Sequence, residues 1–182
     1  MGFRGAAVLS ATSFFIGIQF ICFNVDYRIL YRPLTDQVID DGFQFYTTFF
    51  NAPPAIKALL HGFIGVGFIG LLTKLHAWDD SAMFFDGTSL VAYIFAFAVY
   101  MSVAIPSLRT IATPAEGNTR DDRIEAMRVL SAGNTIIIVI LAGVLLLQAG
   151  EEYARRAEAK ELAKIIEAEK KAASAPQGKK DQ

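Results

Sequence analysis

The sequence predicts an all-α polytopic membrane protein, with four transmembrane helices followed by a charged helical C-terminal tail. Three observations carry that prediction. The run NTIIIVILAGVLLLQ, residues 134–148, gives way across Gly150 to EEYARRAEAKELAKIIEAEKK, so hydrocarbon turns abruptly into charge. A membrane surface explains such an edge, and a water-soluble core does not. The chain of 182 residues is 53% hydrophobic with a mean hydropathy of +0.38, and charge is nearly absent from four stretches while crowding the rest. Proline and charged segments separate those stretches, as loops separate spans.

The first stretch, residues 5–24, carries no charge and is too long for the apolar region of a signal peptide. No small-residue cleavage pattern follows it, so it reads as an uncleaved first span. Met1-Gly2 fails as a myristoylation signal because Ala6 stands where Ser or Thr is needed. Residues 25–53 read as a wet loop holding Asp26, Arg28, Arg32, Asp36, Asp40 and Asp41. The same loop is rich in aromatic rings, from Tyr27 to Phe50, which suit either a headgroup zone or a protein contact.

Pro53-Pro54 open the second span, residues 55–75, where a missing N–H costs nothing. Lys57 snorkels from its start, and His61 sits a turn deeper as a hydrogen-bonded interfacial residue or a functional one. Gly65-x-Gly67-x-x-Gly70 matches a dinucleotide fingerprint as a string, but no strand precedes it and the glycines lie inside an apolar helix. They mark instead a surface for close helix approach. At about 100° per residue, Gly62, Gly65 and Gly70 share one broad side while Gly67 drifts away. A short connector holds Lys74, His76, Trp78, Asp79, Asp80 and Asp86. His76 with Asp79 and Asp80 makes too sparse a set for a metal, so the connector reads as a solvated turn.

The third span, residues 88–105, ends at Pro106, and Tyr93 and Tyr100 share a face seven residues apart. A second charged loop, residues 107–131, contains TRDDRIEAMRVL, a mixed-charge helix expected to run into the fourth span, residues 132–149. That span has at least nine large aliphatics, worth about 3–5 kcal/mol of bilayer preference on the insertion scale. The membrane domain is thus expected over residues 1–150 and the tail over 151–182. In the tail, Glu151–Arg155, Glu152–Arg156 and Glu167–Lys171 are helix-stabilising pairs, and Leu162, Ile165 and Ile166 are too short a patch for a coiled coil.

Several functions are excluded or disfavoured. A net charge of −1 gives no reason to expect a nucleic-acid partner. Cys22 is the single cysteine, so there is no intramolecular disulfide and no Cys/His cluster for zinc; no cofactor or metal is expected. An enzyme would need a nucleophile–base set, and nothing places Ser10 beside His61. A small four-span transporter would want ionisable groups deep in the spans, and none shows near their middles. A membrane scaffold of claudin type would want a loop disulfide pair.

LSATSFFIG (9–17), GVGFIGLLTKL (65–75), FFDGTSLVAYIF (84–95) and RVLSAGNTIIIVILAGVLLLQAGEEYA (128–154) resemble the fungal packaging chaperones of amino-acid permeases, the secretory-component SHR family. The similarity covers all four spans in order. It implies a non-enzymatic chaperone of the endoplasmic-reticulum membrane. Such proteins help new permeases fold and enter COPII vesicles, the tail being linked to coat components. On that reading Ser10, Thr12 and Ser13 in the first span, with Gly62, Gly65 and Gly70 in the second, are candidate client-contact or helix-packing residues. Lys179 and Lys180, four and three from the end, resemble a dilysine retrieval signal read by a retrieval coat. Four spans put both ends on one side, and a retrieval signal requires that side to be cytosolic.

Overall fold

A computed structural model describes residues 2–76 and 80–174. Its elements are all helical: α1 (Phe3–Tyr31), α2 (Asp36–Phe50), α3 (Pro54–Leu75), α4 (Asp80–Val99), a π-helical turn (Tyr100–Ala104), α5 (Ile105–Ala112) and α6 (Arg120–Ser174). Four of the helical stretches are long and apolar enough to cross a membrane: α1, α3, α4 with its continuation to Ala112, and α6. The all-α class and the four spanning helices are as expected.

The spanning helices alternate in direction. Near one end of the bundle, Gly70 of α3 packs on Val8 of α1, and Gln148 of α6 bonds Asp86 of α4. Near the other end, Asn134 of α6 bonds Asp26 of α1. The N-terminus of α1 and the exit of α6 into its charged half therefore share one end, called here the tail end; α2, α5 and the start of α6 lie at the far end.

The first and third spanning helices run further than the sequence suggested. α1 spans 29 residues, about 43 Å, and continues past residue 24 through Asp26 and Arg28. The charges do not end it because Asp26 is fully buried and hydrogen-bonded, while Arg28 turns outward to Asp41 at 2.8 Å. The expected wet loop is thus mostly helix: α1 ends late, and only four residues separate it from α2, whose N-cap Thr35 accepts from the Val38 N–H through its hydroxyl. Phe43, Phe45 and Tyr46 pack inward against Ile111, Met127 and Leu130, so those rings are core, not a headgroup belt.

Nor does the third span stop at Pro106. Proline removes an N–H and crowds the preceding turn. The helix answers by widening one turn: Ile105 N–H bonds Tyr100 C=O, five residues back, before α5 carries on to Ala112. The second charged loop shrinks to residues 113–119, where Gly117 takes φ +102, a left-handed value suited to glycine. Arg123 closes this turn by donating to the Ile111 carbonyl from Nε (3.1 Å) and a terminal nitrogen (2.8 Å), and its guanidinium lies 4.2 Å from the Phe43 ring centre. One arginine thereby binds α2, α5 and α6 together.

As expected, the mixed-charge segment flows into the last span. α6 is one helix of 55 residues, about 80 Å long, whose second half is solvent-exposed from Ala157 to Lys171. Glu152–Arg156 and Glu167–Lys171 pair at 2.8 Å along it.

Candidate functional site

Two packed cores divide the bundle. The tail-end core gathers Val8, Leu71, Tyr93, Val99, Ile137 and Leu141; the far-end core gathers Ile29, Ile39, Tyr46, Ile111, Met127 and Leu130. Between them lies a cleft of about 130 Å³, lined from α1, α2, α3, α4, the π-turn, α5 and α6. It lies beside the first half of α3, which meets the bundle through few contacts: Phe63 stacks on Phe14 at 4.2 Å and the Lys57 ammonium lies 5.2 Å from the Phe50 ring centre. In the C-terminal half of α3, Gly67 lets Tyr93 settle against the backbone and Gly70 lets Val8 do so. Toward its N-terminal end, residues 54–59 are exposed and only Leu60 turns inward. Phe15, Ile18, Gln19, Leu60, Ile64 and Phe97 are accordingly half-buried walls, not sealed core.

The walls are chiefly hydrocarbon and aromatic, with few polar groups. Tyr93 is 4% exposed, yet its hydroxyl has no hydrogen-bond partner among the described residues. Asn134 lines the same space and donates through its amide nitrogen to Asp26 (3.0 Å) and to the Tyr46 hydroxyl (3.2 Å). Its amide oxygen takes part in neither bond. Across the cleft, His61 Nδ1 lies 2.7 Å from the Lys57 carbonyl and must donate to it. Nε2 is then the acceptor, and Tyr100 offers it a hydroxyl at 3.5 Å, the limit of a hydrogen bond. His61 is therefore an exposed, hydrogen-bonded residue, one of the two readings its position allowed.

Each end of the bundle is fastened by a buried polar cluster that the sequence did not reveal. At the far end, Asp26 accepts from Tyr46 and Asn134, with no cation among its hydrogen-bonding partners. Burial, then the neighbouring carboxylate, pushes the Tyr46 phenol up, which keeps it a donor. At the tail end, Lys74 of α3 pairs with Asp86 of α4 at 2.7 Å and with Glu151 of α6, and donates to Gln148 at 2.6 Å. Gln148 in turn donates to Asp86 (2.9 Å) and Ser89 (3.2 Å), and Arg155 holds the other oxygen of Glu151 at 2.8 Å. Asp86 and Asp26 were both read as wet loop residues; both are fully buried. Each charge is hidden by partners far away in sequence, which no local window displays. Trp78 and Asp79 lie outside the described residues.

The residues singled out from the sequence separate into two groups. Thr12 is fully buried and returns its hydroxyl to the Val8 carbonyl at 2.8 Å, and Gly70 sits under Val8, so both serve the α1–α3 contact. Ser10 and Ser13 are exposed, and a Cβ at Gly62 or Gly65 would meet nothing within 4 Å. Gly67, expected to drift from the packing side, is instead the glycine under Tyr93, because α3 touches α4 as well as α1. Lys179 and Lys180 lie outside the described residues.

A test follows from that separation. A Cβ at Gly70 would come within 2.8 Å of Val8 Cγ2 and 3.2 Å of its backbone nitrogen, so Gly70→Leu forces α3 off α1. Its steady-state level, measured by quantitative immunoblot, is expected to fall severalfold. Gly65→Leu, facing open space, is expected to accumulate normally. Equal levels for the two would show that the α1–α3 contact is not what holds the bundle.

These features define a multi-pass, all-α membrane protein with an apolar cleft in its bundle. The chain matches, over residues 1–182, the family model of the SHR3 chaperones, described as ER membrane protein SH3. It belongs to that family, whose members are chaperones of the ER membrane. It is 24% identical to the secretory component protein psh3 of Schizosaccharomyces pombe, over 92% of this chain and 82% of that protein. No solved structure matches it.

Proposed function

We propose that this protein assists the folding of amino-acid permeases in the endoplasmic reticulum and so permits their packaging into COPII vesicles. The whole-chain family match carries this reading, and an apolar cleft within the bundle is compatible with it. A permease under construction has spans whose polar groups await partners not yet inserted. In lipid an unsatisfied polar group costs several kcal/mol, so such a chain aggregates unless something covers it. The open faces around Ser10, Ser13, Gly62 and Gly65 offer close approach and weak hydrogen bonding to a neighbouring helix.

In this reading the tail end is cytosolic. Both the N-terminus and the charged half of α6 face the coat machinery, and Lys179-Lys180 act as the address for the retrieval coat. A glycosylation acceptor inserted near Gln37 at the far end is expected to be modified, and one near Trp78 to stay bare; the reverse pattern inverts the orientation.

The deciding experiment removes the protein and follows newly made permeases. They are expected to accumulate in the endoplasmic reticulum while unrelated membrane cargo leaves normally. Normal permease delivery would overturn the proposal, and a changed flux of a small solute with normal delivery would favour a four-span transporter instead.

A further inference from the structure

The walls of the cleft carry hydrogen-bonding capacity that the protein itself leaves unused. The Tyr93 hydroxyl is buried without a partner. Gln19, half-buried on α1, makes no hydrogen bond among the described residues, and the amide oxygen of Asn134 takes part in neither bond that its nitrogen makes. These groups come from three different helices, α1, α4 and α6, and they converge on one cavity. A tyrosine hydroxyl confined among Phe68, Gly67 and the aliphatic core is more costly than phenylalanine unless something bonds to it. A lipid chain cannot supply that bond. Water would need a polar, enclosed site, and this one is largely hydrocarbon.

Resting on the chaperone reading above, we propose that the cleft, whose volume of about 130 Å³ admits a side chain, receives a hydrogen-bonding side chain from one transmembrane helix of an unfinished client that lies against its open flank. Tyr93, Gln19 and Asn134 are then the specificity residues, and the apolar walls from Phe15, Ile64 and Phe97 supply contact area. The half-free start of α3 is the way in. Its link to α4 at this level is the stretched His61–Tyr100 contact, which gives way easily. The choice follows from chemistry. A wholly apolar helix gains nothing here over lipid, whereas a helix with an unpaired Ser, Thr, Asn or Gln exchanges an unsatisfied group for a satisfied one.

Tyr93→Phe tests this cleanly. It deletes an unpartnered hydroxyl and keeps the ring, so the fold is expected to be unharmed or steadied. A photoreactive phenylalanine analogue is placed at position 64 in the cleft, or at position 139 on the exposed face of α6, in the full-length protein within intact cells. Newly made permease is expected to cross-link from position 64 and not from position 139. Tyr93→Phe is expected to lower that adduct about threefold at unchanged protein level, the loss of one hydrogen bond of membrane strength. A permease whose captured helix has its polar residues changed to Leu is expected to lose this dependence on Tyr93. Adducts of lipid alone from position 64, or yields indifferent to Tyr93→Phe, overturn the proposal. Cross-linking from position 139 alone overturns the cleft while leaving the chaperone reading intact. Normal permease export without the protein overturns that reading itself.

Discussion

Replacing Lys74 by Met is expected to unfasten the tail end of the bundle and to cost about 3–5 kcal/mol, the range for breaking a buried ion pair by removing one partner. Lys74 is the cation shared by Asp86 and Glu151, whose side chains are 0% and 5% exposed. Without it, Asp86 keeps only the Gln148 amide, and its second oxygen already has no partner. Two carboxylates would then sit close together among apolar helices, where a like-charge pair is strongly disfavoured. The loss is a large fraction of the stability of an ordinary domain, so the variant is expected to be degraded. The check is a thermal-stability series in detergent micelles. Lys74→Met should melt far below the parent, and Lys74→Met combined with Asp86→Asn and Glu151→Gln should recover most of the difference, since a neutral cluster needs no counter-charge. If the triple variant is as unstable as the single one, Lys74 matters for packing and not for charge.

Asp26→Ala is expected to release α2 from the far end, at roughly 2–5 kcal/mol for leaving the Tyr46 hydroxyl and the Asn134 amide buried without their acceptor. The consequence is local because Asp26 joins three elements, α1, α2 and α6, at one point. Hydrogen exchange should show amides of residues 36–50 losing protection by tenfold or more, with those of residues 136–147 unchanged. Asp26→Asn, which keeps an acceptor oxygen, should lie between. Unaltered protection of α2 in Asp26→Ala would mean that Phe43, Phe45 and the Arg123 stack hold it unaided. The Lys74 and Asp26 clusters share no residue and lie at opposite ends, so their effects should add.

The two clusters also bear on what kind of membrane protein this is. A transporter would be expected to keep ionisable groups on a path and able to change partners. Here Asp26 is occupied by two neutral donors, and Lys74, Asp86, Glu151 and Arg155 occupy one another. The unpartnered hydroxyl of Tyr93 in the cleft is neutral, which suits recognition of another helix better than movement of an ion.

What was legible in advance is what depends on composition along the chain. Four apolar runs, the edge at Gly150, the helical charge pairs of the tail and the helix leading into the last span all follow from residue type and local order. A helix in lipid satisfies its own backbone and needs no partner to form. The ends of the helices were misread where a charged or imino residue looked like a stop. Asp26, Asp86 and Pro106 each lie inside a helix, since partners such as Tyr46, Asn134, Lys74 and Gln148, or a widened turn, remove the penalty. Those partners lie 12 to 108 residues away in sequence. The family resemblance was visible because its motifs occur in all four spans, in order.

The cleft belongs to the other kind of knowledge. Tyr93 and Tyr100 were seen to share a face, but that face could have met a neighbour or lipid. Gly67 and Gly70, not Gly62 and Gly65, decide where α3 touches, and the gap lies beside its first half. The sequence by itself determined a four-span all-α membrane protein with a charged helical tail, because hydrophobicity and helix propensity act locally. Tertiary structure alone decided which glycines are filled, which acids are buried and where hydrogen-bonding groups are left waiting. Those outcomes depend on how helices meet across the bundle, and no periodicity within one helix records them.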